Sequence, residues 1–358
     1  MSSEFGKNIK ISVFGQSHGK AIGVYIDGLK AGEKIDEEEL VRFMERRRPG
    51  RSPLATRRNE PDRPVFLSGI ADKMTCGAPI CAIIENTDTR SKDYSELSHK
   101  PRPSHADYTA FVKWHGEADM RGGGHFSGRL TAPLCIAGGI AKQILSRKGI
   151  FVGAHAQEVA GIVDDKFPLF PERELFEDIA AKEIPVINDE QGRLMAEKIS
   201  EAAYLADSVG GIIECAAIGL PAGIGDPMFD GIENLLARAL FGIPAVKGIE
   251  FGSGFASARL KGSENNDPFV IKDGNVLTSS NNSGGILGGI TNGMPLVLRV
   301  AVKPTPSIGK PQKTVDLDTG EQTELVIKGR HDPCIALRAV PVVEAVTALT
   351  LLDMITEE

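Results

Sequence analysis

Short stretches of alternating hydrophobic and polar residues, the pattern of half-buried β-strands, recur along this chain. The segment Ile9-Lys-Ile-Ser-Val-Phe14 alternates in this way and ends at Gly15, so the residues that follow should form a loop at a strand end. Other strand-like stretches lie at 82–85, 209–217, 246–251 and 296–302. We therefore expect sheets built from short antiparallel strands.

The first helix is predicted from its capping pattern. Asp36 can cap the helix, and Glu39, three residues later, can complete a capping box. Leu40 and Met44 belong to its apolar stripe, and Pro49-Gly50 should end it.

Helical periodicity predicts further helices of different character. The stretch 132–148 is apolar and rich in small residues, which is typical of a buried helix, whereas 190–205 is amphipathic and 234–241 is short. A long helix is predicted over 335–355, with an interruption at Pro341. Its apolar character almost all round indicates a buried position. Together with the strands, these helices favour an α/β or α+β fold.

Composition narrows the class of protein. The chain has 358 residues, 41% apolar and 25% charged, as expected of a soluble globular protein. The net charge of -7 argues against a general nucleic-acid binder. The N-terminus lacks the apolar core of a signal peptide, and no apolar run reaches the length of a membrane span. Five cysteines without a CxxC pair suit reduced thiols in the cytoplasm and give no zinc-ligand spacing.

Three segments place a histidine close to an arginine, a serine or an aspartate. They are Phe14-Gly-Gln-Ser-His-Gly19, Arg102-Pro-Ser-His-Ala-Asp107 and Gly329-Arg-His-Asp-Pro333, and the Gly-rich segment Arg121-Gly-Gly-Gly-His-Phe-Ser-Gly-Arg129 lies between the last two. Histidine can move a proton near neutral pH, and arginine holds phosphate or carboxylate in a rigid fork. The residues suggest an enzyme acting on a small phosphorylated, carboxylated molecule. Since these segments span most of the sequence, we expect a single domain over 1–358.

Eight arginines fall between positions 42 and 63, against three acidic residues. Cations are favourable at the C-terminus of a helix, and this accounts for the first few of these arginines. The excess continues through the following loop, so an anion-binding role stays open beside the structural one.

Several other features allow two interpretations. Asp332 could cap the helix that follows it, or serve as a base if it faces a substrate. The glycines of 122–124 and 284–293 permit close backbone approach to a ligand or simply tight packing. Neither run matches a dinucleotide-binding fingerprint or a P-loop. Lys303-Pro-Thr-Pro-Ser-Ile308 offers a lysine and hydroxyls suited to a phosphate tail.

Several motifs of this chain occur in the same order as in the chorismate synthase family, and the chain resembles that family over about 320 residues. The similar segments are the three histidine segments and the Gly-rich segment above, together with Arg46-Arg-Arg-Pro-Gly50, Ala245-Val-Lys-Gly-Ile-Glu250, Gly284-Gly-Ile-Leu-Gly-Gly289 and Lys303-Pro-Thr305.

The resemblance implies an anti-1,4-elimination that converts 5-enolpyruvylshikimate 3-phosphate to chorismate and phosphate, the last step of the shikimate pathway. The family requires reduced FMN although the reaction has no net redox change, and NADPH is a possible reductant. It also implies a β-α-β sandwich, with long helices between antiparallel sheets, and a homotetramer. No metal is implied.

The resemblance also assigns roles to residues. His18 would donate a proton to the departing phosphate, His105 would lie near the flavin, and Asp332 would assist proton removal through flavin N5. Substrate contacts would come from Arg48, Arg51, Arg57, Arg102, Arg129 and Arg330, with Ser17 and Ser127 as hydrogen-bond partners. The FMN site would contain His125, Phe126, Ser127, Pro244, Ala245, Gly288, Lys303, Pro304, Thr305, Pro306, Ser307 and Arg330. Arg47 would lie where the family binds NADPH.

The chain departs from the family pattern at several positions. Gln16 stands where Glu is usual, Ser104 where Gly is usual, and His125-Phe-Ser-Gly128 where Arg-Ser-Ser-Ala is usual. A flavin reductase that lacks lyase activity is therefore an alternative hypothesis. A polyanion-binding protein that uses the arginine run is another, although Phe43 is the only aromatic residue in that stretch.

Overall fold

The computed structural model describes residues 3–50, 54, 60–87, 99–327 and 332–356. Its helices are α1 Glu37–Arg47, α2 Asp107–Lys113, α3 Thr131–Arg147, α4 Arg173–Ala181, α5 Asp189–Tyr204, α6 Ile232–Leu240, α7 Gly262–Asn265 and α8 Ala336–Ile355. Its first strands are β1 Glu4–Phe5, β2 Lys10–Gly15, β3 Ala21–Asp27, β4 Val65–Ser68, β5 Ile70–Ala71, β6 Met74–Thr75, β7 Ile80–Glu85, β8 Phe151–Val159 and β9 Ile162–Val163. The remaining strands are β10 Gly211–Ile218, β11 Val246–Phe251, β12 Phe269–Lys272, β13 Asn275–Thr278, β14 Ile286–Leu287, β15 Ile290–Thr291, β16 Leu296–Val302, β17 Gln312–Val315 and β18 Gln322–Leu325.

Two five-stranded antiparallel sheets form the outer layers of the core. The first has the strand order β1-β2-β3-β7-β4 and the second the order β11-β16-β10-β8-β9. Helix α3 packs against β3 and β7 of the first sheet, while α8 packs against β8 and β10 of the second. Because α3 and α8 also pack on each other, the helices lie between the sheets. The fold is α+β, as predicted.

Close approach of the two central helices depends on small residues. A Cβ added at Gly138 of α3 would lie 2.3 Å from the Cα of Ala345 in α8, so only glycine permits this crossing. Both helices are largely buried, in agreement with the predicted apolar character of 132–148 and 335–355. No helix within the described ranges has the combination of length and apolar character that crossing a bilayer requires.

Most predicted element positions are confirmed, and two details are wrong. The predicted interruption at Pro341 does not occur, because packing of α8 on both sides outweighs the one backbone hydrogen bond that proline cannot donate. The predicted capping box is only half formed. Asp36 Oδ1 accepts from Glu39 N at 2.9 Å, but Asp36 N donates to Gln143 Oε1 of α3 instead of Glu39.

Candidate active site

A cleft of about 1020 Å³ collects residues from distant parts of the sequence. Its floor is apolar, formed by residues such as Ile11, Leu134 and Val342. Its charged lining residues are Arg47, Arg102, Arg129, Arg238, Lys247, Lys303 and Arg338, against Glu4 and Asp332. In a protein of net charge -7, this concentration of cations creates a local site for an anionic molecule.

His105 belongs to a compact hydrogen-bonded unit at the start of α2. Arg102 donates to both carboxylate oxygens of Asp107, with Nε and Nη2 each at 2.7 Å. His105 Nδ1 lies 2.7 Å from Asp107 Oδ1 and 3.0 Å from Arg102 Nη2, and the shorter contact with the carboxylate favours a proton on Nδ1. Burial alone would raise the pKa of Asp107, but Arg102 and His105 hold it well below its ordinary value. The unit leaves Nε2 of His105 available for chemistry.

The Gly-rich segment separates the two histidines of the sequence motifs. A Cβ at Gly122 would lie 2.2 Å from His18 Nδ1, and one at Gly123 would lie 3.3 Å from His105 Nε2. Both glycines have positive φ, which side-chain-bearing residues rarely adopt. Ser17 N donates to Gly124 O at 3.1 Å, tying the first motif to the same segment. Glycine at 122 and 123 thus allows the rings of His18 and His105 to lie against the same loop.

Asp62 pairs two arginines that approach from different elements. Arg47 Nη1 donates to one carboxylate oxygen of Asp62 and Arg129 Nη1 to the other. Arg129 also donates to Asn86 Oδ1 at 3.1 Å and lies 3.6 Å from Glu60. Burial, partly opposed by Asp62, lowers the pKa of Arg47 from 12.5 to about 10. The buried carboxylate allows two like charges to lie side by side at the cleft.

Asp332 lies at the cleft beside α8. Arg338 Nη1 donates to Asp332 Oδ2, and Arg338 Nε donates to the backbone oxygen of Arg47 at 3.0 Å. The side chain of Asp332 is 11% exposed and that of Arg338 is 18% exposed. A carboxylate and its cation therefore meet at the edge of the cleft.

The loops 244–247 and 303–307 form another wall. Lys303 N donates to Ala245 O at 3.0 Å, and Lys303 Nζ donates to Ser104 O. Burial and the nearby charge of Lys247 lower the pKa of Lys303. Thr305 Oγ1 is buried and has no hydrogen-bond partner among the described residues. A cationic wall with an unused hydroxyl suits a phosphate-bearing ligand.

The residues at which this chain differs from the family pattern have specific contacts in the structure. Ser104, at a usual glycine position, adopts φ 61°, in the left-handed region that glycine favours. His125 Nδ1 lies 2.7 Å from Gly15 O and its Nε2 lies 2.8 Å from Ser3 Oγ. The ring therefore donates to one oxygen and accepts from the other, joining the chain start to the Gly-rich segment. Phe126 packs against Trp114 with ring centroids 5.6 Å apart.

Most predicted site residues meet at this cleft. Its lining includes His105, Asp332, Arg102, Arg129, Arg47, His125, Phe126, Ser127, Pro244, Ala245, Lys303, Thr305, Pro306 and Ser307. The remaining described ones, Ser17, His18, Arg48, Gly288 and Pro304, are not lining residues. His18 still contacts the cleft through Gly122, whereas Arg48 lines a small separate cavity with Cys334 and Pro341. Arg51, Arg57 and Arg330 lie outside the described residues.

Sequence reasoning missed several residues that shape the site. Arg338 is not predicted as a site residue because it lies in a helix predicted to be buried, although a single arginine in an apolar helix is itself a sign of a specific role. Asp107 lies in the segment Arg102–Asp107, but the sequence alone does not indicate that it pairs with both Arg102 and His105. Nothing local marks Asp62, because one of its partners, Arg129, is 67 residues away. Lys247 lies in the segment 245–250, and no local pattern indicates that it faces the cleft.

Comparisons with known proteins agree on one family. A family model described as chorismate synthase matches residues 9–356. Relatives named chorismate synthase include one from Korarchaeum cryptofilum, 47% identical and covering 98% of this chain and 96% of its own. Another, from Thermococcus kodakarensis, is 48% identical and covers 97% of this chain and 96% of its own. A solved structure titled "Crystal Structure of Chorismate Synthase" superposes with TM-score 0.76 at 27% identity, covering 98% of this chain and 93% of that one.

Proposed function

We propose a role for each part of the cleft from one premise: the chain belongs to the chorismate synthase family. Its reaction is that of a carbon–oxygen lyase, the elimination of phosphate from 5-enolpyruvylshikimate 3-phosphate to give chorismate. The comparisons do not favour the alternative of a flavin reductase without lyase activity. The assignment of roles is based on one observation: His105, the Gly-rich segment and Asp332 all line the same cationic cleft.

Substrate binding is assigned first to Arg102 and Arg129, two arginines of the cleft. The substrate has one phosphate and two carboxylates, so several cations are needed to neutralise and orient it. Arg102 and Arg129 are each buried and oriented by a carboxylate, Asp107 and Asp62 respectively, which limits the entropy lost on binding. Further substrate contacts are proposed for Ser17, Arg48, Arg51, Arg57, Ser127 and Arg330.

Catalytic roles are assigned to three residues. His18 protonates the phosphate as the C–O bond breaks, and Asp332 assists removal of the proton from carbon as the new double bond forms. His105 is proposed to lie near the flavin and to present Nε2 to it, since Nδ1 is held by Asp107. His18 lies against Gly122 and Asp332 is paired with Arg338, so the two roles fall to groups held by different contacts.

The wall at 244–247 and 303–307 fits reduced FMN. Lys303 and Lys247 supply positive charge, Thr305 supplies an uncommitted hydroxyl, and Phe126 offers an aromatic surface. We propose that His125, Phe126, Ser127, Pro244, Ala245, Gly288, residues 303–307 and Arg330 hold the cofactor. When bound, reduced FMN lends electron density transiently, which eases cleavage of the C–O bond. We also propose NADPH as the reductant. Because Arg47 is buried, any contact between Arg47 and NADPH would lie inside the cleft and not at the protein surface.

We also propose a single domain over residues 1–358, a homotetramer and a cytoplasmic location. The single domain is supported by the convergence of residues 3 to 349 on one cleft. Assembly is supported by exposed apolar side chains, including Met228, Phe229 and Phe255. All five cysteines are free, which suits a reducing compartment.

Single substitutions test the assignment of roles. His18→Ala and Asp332→Ala should each lower turnover by about 100-fold or more, because each removes a proton-transfer group. Binding of oxidised FMN, followed by its fluorescence, should change little in either variant. Turnover at the wild-type level in either variant would remove the role of that residue.

A further inference from the structure

The charged residues of α8 have defined partners despite the apolar character of this helix. Glu344 pairs with Arg46 and Lys142, and Asp353 accepts hydrogen bonds from the backbone at residues 7–9. Arg338, near the start of α8, donates to Asp332 and to Arg47 O. Burying most of an arginine side chain costs free energy unless its donors form hydrogen bonds. The two hydrogen bonds of Arg338 offset this cost, and they show which groups it holds in place.

The geometry of Arg338 joins two walls of the cleft. Arg47 is the last residue of α1, and its carbonyl is among those that a helix end leaves without an internal partner. Arg338 Nε satisfies that carbonyl, while Nη1 of the same planar group holds the carboxylate of Asp332. The guanidinium therefore sets the position of Asp332 relative to the end of α1.

We propose that Arg338 is a positioning residue that orients the Asp332 carboxylate for proton transfer. This inference rests on the role proposed above for Asp332. A lysine could supply the charge but not the two donors in one rigid plane, so Arg338→Lys should restore only part of what Arg338→Gln loses. If Arg338 instead bound a substrate anion directly, its loss would raise KM and would be independent of Asp332.

A double-mutant cycle tests the proposal, with kcat measured under anaerobic conditions in the presence of reduced FMN. Asp332→Asn should lower kcat by about 100-fold or more. Arg338→Gln should lower kcat by about 10-fold or more, with KM changed less than about threefold, because it acts through Asp332. The double variant should be no slower than Asp332→Asn alone. Binding of oxidised FMN, measured by fluorescence, should be equal in all four proteins.

Arg238→Gln provides the matched control. Arg238 lines the same cleft but has no described contact with Asp332. Its effect, whatever its size, should multiply with that of Asp332→Asn, as for independent sites. If Arg338→Gln does not fold, as judged by circular dichroism, the same cycle is run with Arg338→Lys.

The outcomes separate failure of the inference from failure of the proposed function. Wild-type kcat in Asp332→Asn would overturn the role of Asp332 and the inference with it. A slow Asp332→Asn together with multiplicative losses in the double variant would overturn only the inference. The same holds if Arg338→Gln raises KM and leaves kcat unchanged, which would make Arg338 a substrate anchor.

Discussion

At the scale of single residues, the hydrogen-bond partners of each histidine determine whether a ring nitrogen is available for chemistry. His105 has a carboxylate on Nδ1 and leaves Nε2 for chemistry, whereas His125 has both ring nitrogens engaged by chain-joining contacts. His155 is fully buried between Asp164 at 2.9 Å and Glu214 at 3.1 Å. Since both of its ring nitrogens face buried carboxylates, His155 is a structural residue.

Gly122 is expected to be essential for turnover. Gly122→Ala places a Cβ 2.2 Å from the His18 ring and forces a side chain into φ 61°, so His18 must move. We expect kcat to fall by about 100-fold, as for loss of a general acid. Gly128→Ala is the matched control in the same segment, because its added Cβ meets nothing within 4 Å. Equal kcat in the two variants, measured by phosphate release, would contradict this account of the loop.

The His155 cluster should give the protein a pH-dependent stability. Burial lowers the pKa of His155, but Asp164 and Glu214 outweigh it and raise the pKa above 6.5. A raised pKa means that the contribution is complete below 6.5, the unfolded value, and is lost as the pH rises through the folded value.

His155→Gln tests this prediction. Urea unfolding of both proteins should give a difference in unfolding free energy that is largest at pH 6 and shrinks as the pH rises through the folded pKa of His155. A difference that stays constant or grows across that range would show that His155 is not held as a cation.

At the scale of secondary-structure elements, one buried carboxylate ties three helices together. Glu344 of α8 accepts from Arg46 of α1 at 2.6 and 2.8 Å and also from Lys142 of α3. Burial alone would raise the pKa of Glu344, but the two cations lower it to about 2. Its contribution to stability is therefore present above 4.5, the unfolded value, and is lost as the pH falls through about 2.

Removing this charge should destabilise the fold. Glu344→Gln leaves two cations without their buried counterion and should lower the unfolding free energy by about 3–5 kcal/mol in urea titrations at pH 7. Glu201→Gln is the matched control, because its partner Lys198 and the carboxylate itself lie in solvent, where ion pairs contribute little. Similar unfolding midpoints for both variants would contradict the importance of the buried cluster.

Local pattern predicted the elements well and their connections less well. Alternation and helical periodicity located β11, β16, α3 and α8 within one or two residues, because burial on one or all sides dictates those patterns. The helix break expected at Pro341 did not form, since tertiary packing outweighs a local preference. Likewise, Asp36 N found Gln143, a partner 107 residues away that no local rule indicates.

At the scale of the whole molecule, an acidic protein presents a cationic cleft. The histidine and glycine motifs of the sequence predicted the central residues of this cleft, because histidine and glycine rarely occur together in loops without a function. The oxygen acceptors that orient the arginines were harder to predict. Asp62 bonds to Arg129, 67 residues away, and Arg338 bonds to Arg47 O, 291 residues away, so both contacts exist only once the layers are assembled.

The most direct test of the central claim is anaerobic phosphate release from 5-enolpyruvylshikimate 3-phosphate, with and without chemically reduced FMN. The account predicts phosphate release only when reduced FMN is present, accompanied by the absorbance of chorismate. Added NADPH with oxidised FMN then tests whether the protein reduces its own flavin. No release from the folded protein with reduced FMN, or release that is equally fast without it, would contradict the account.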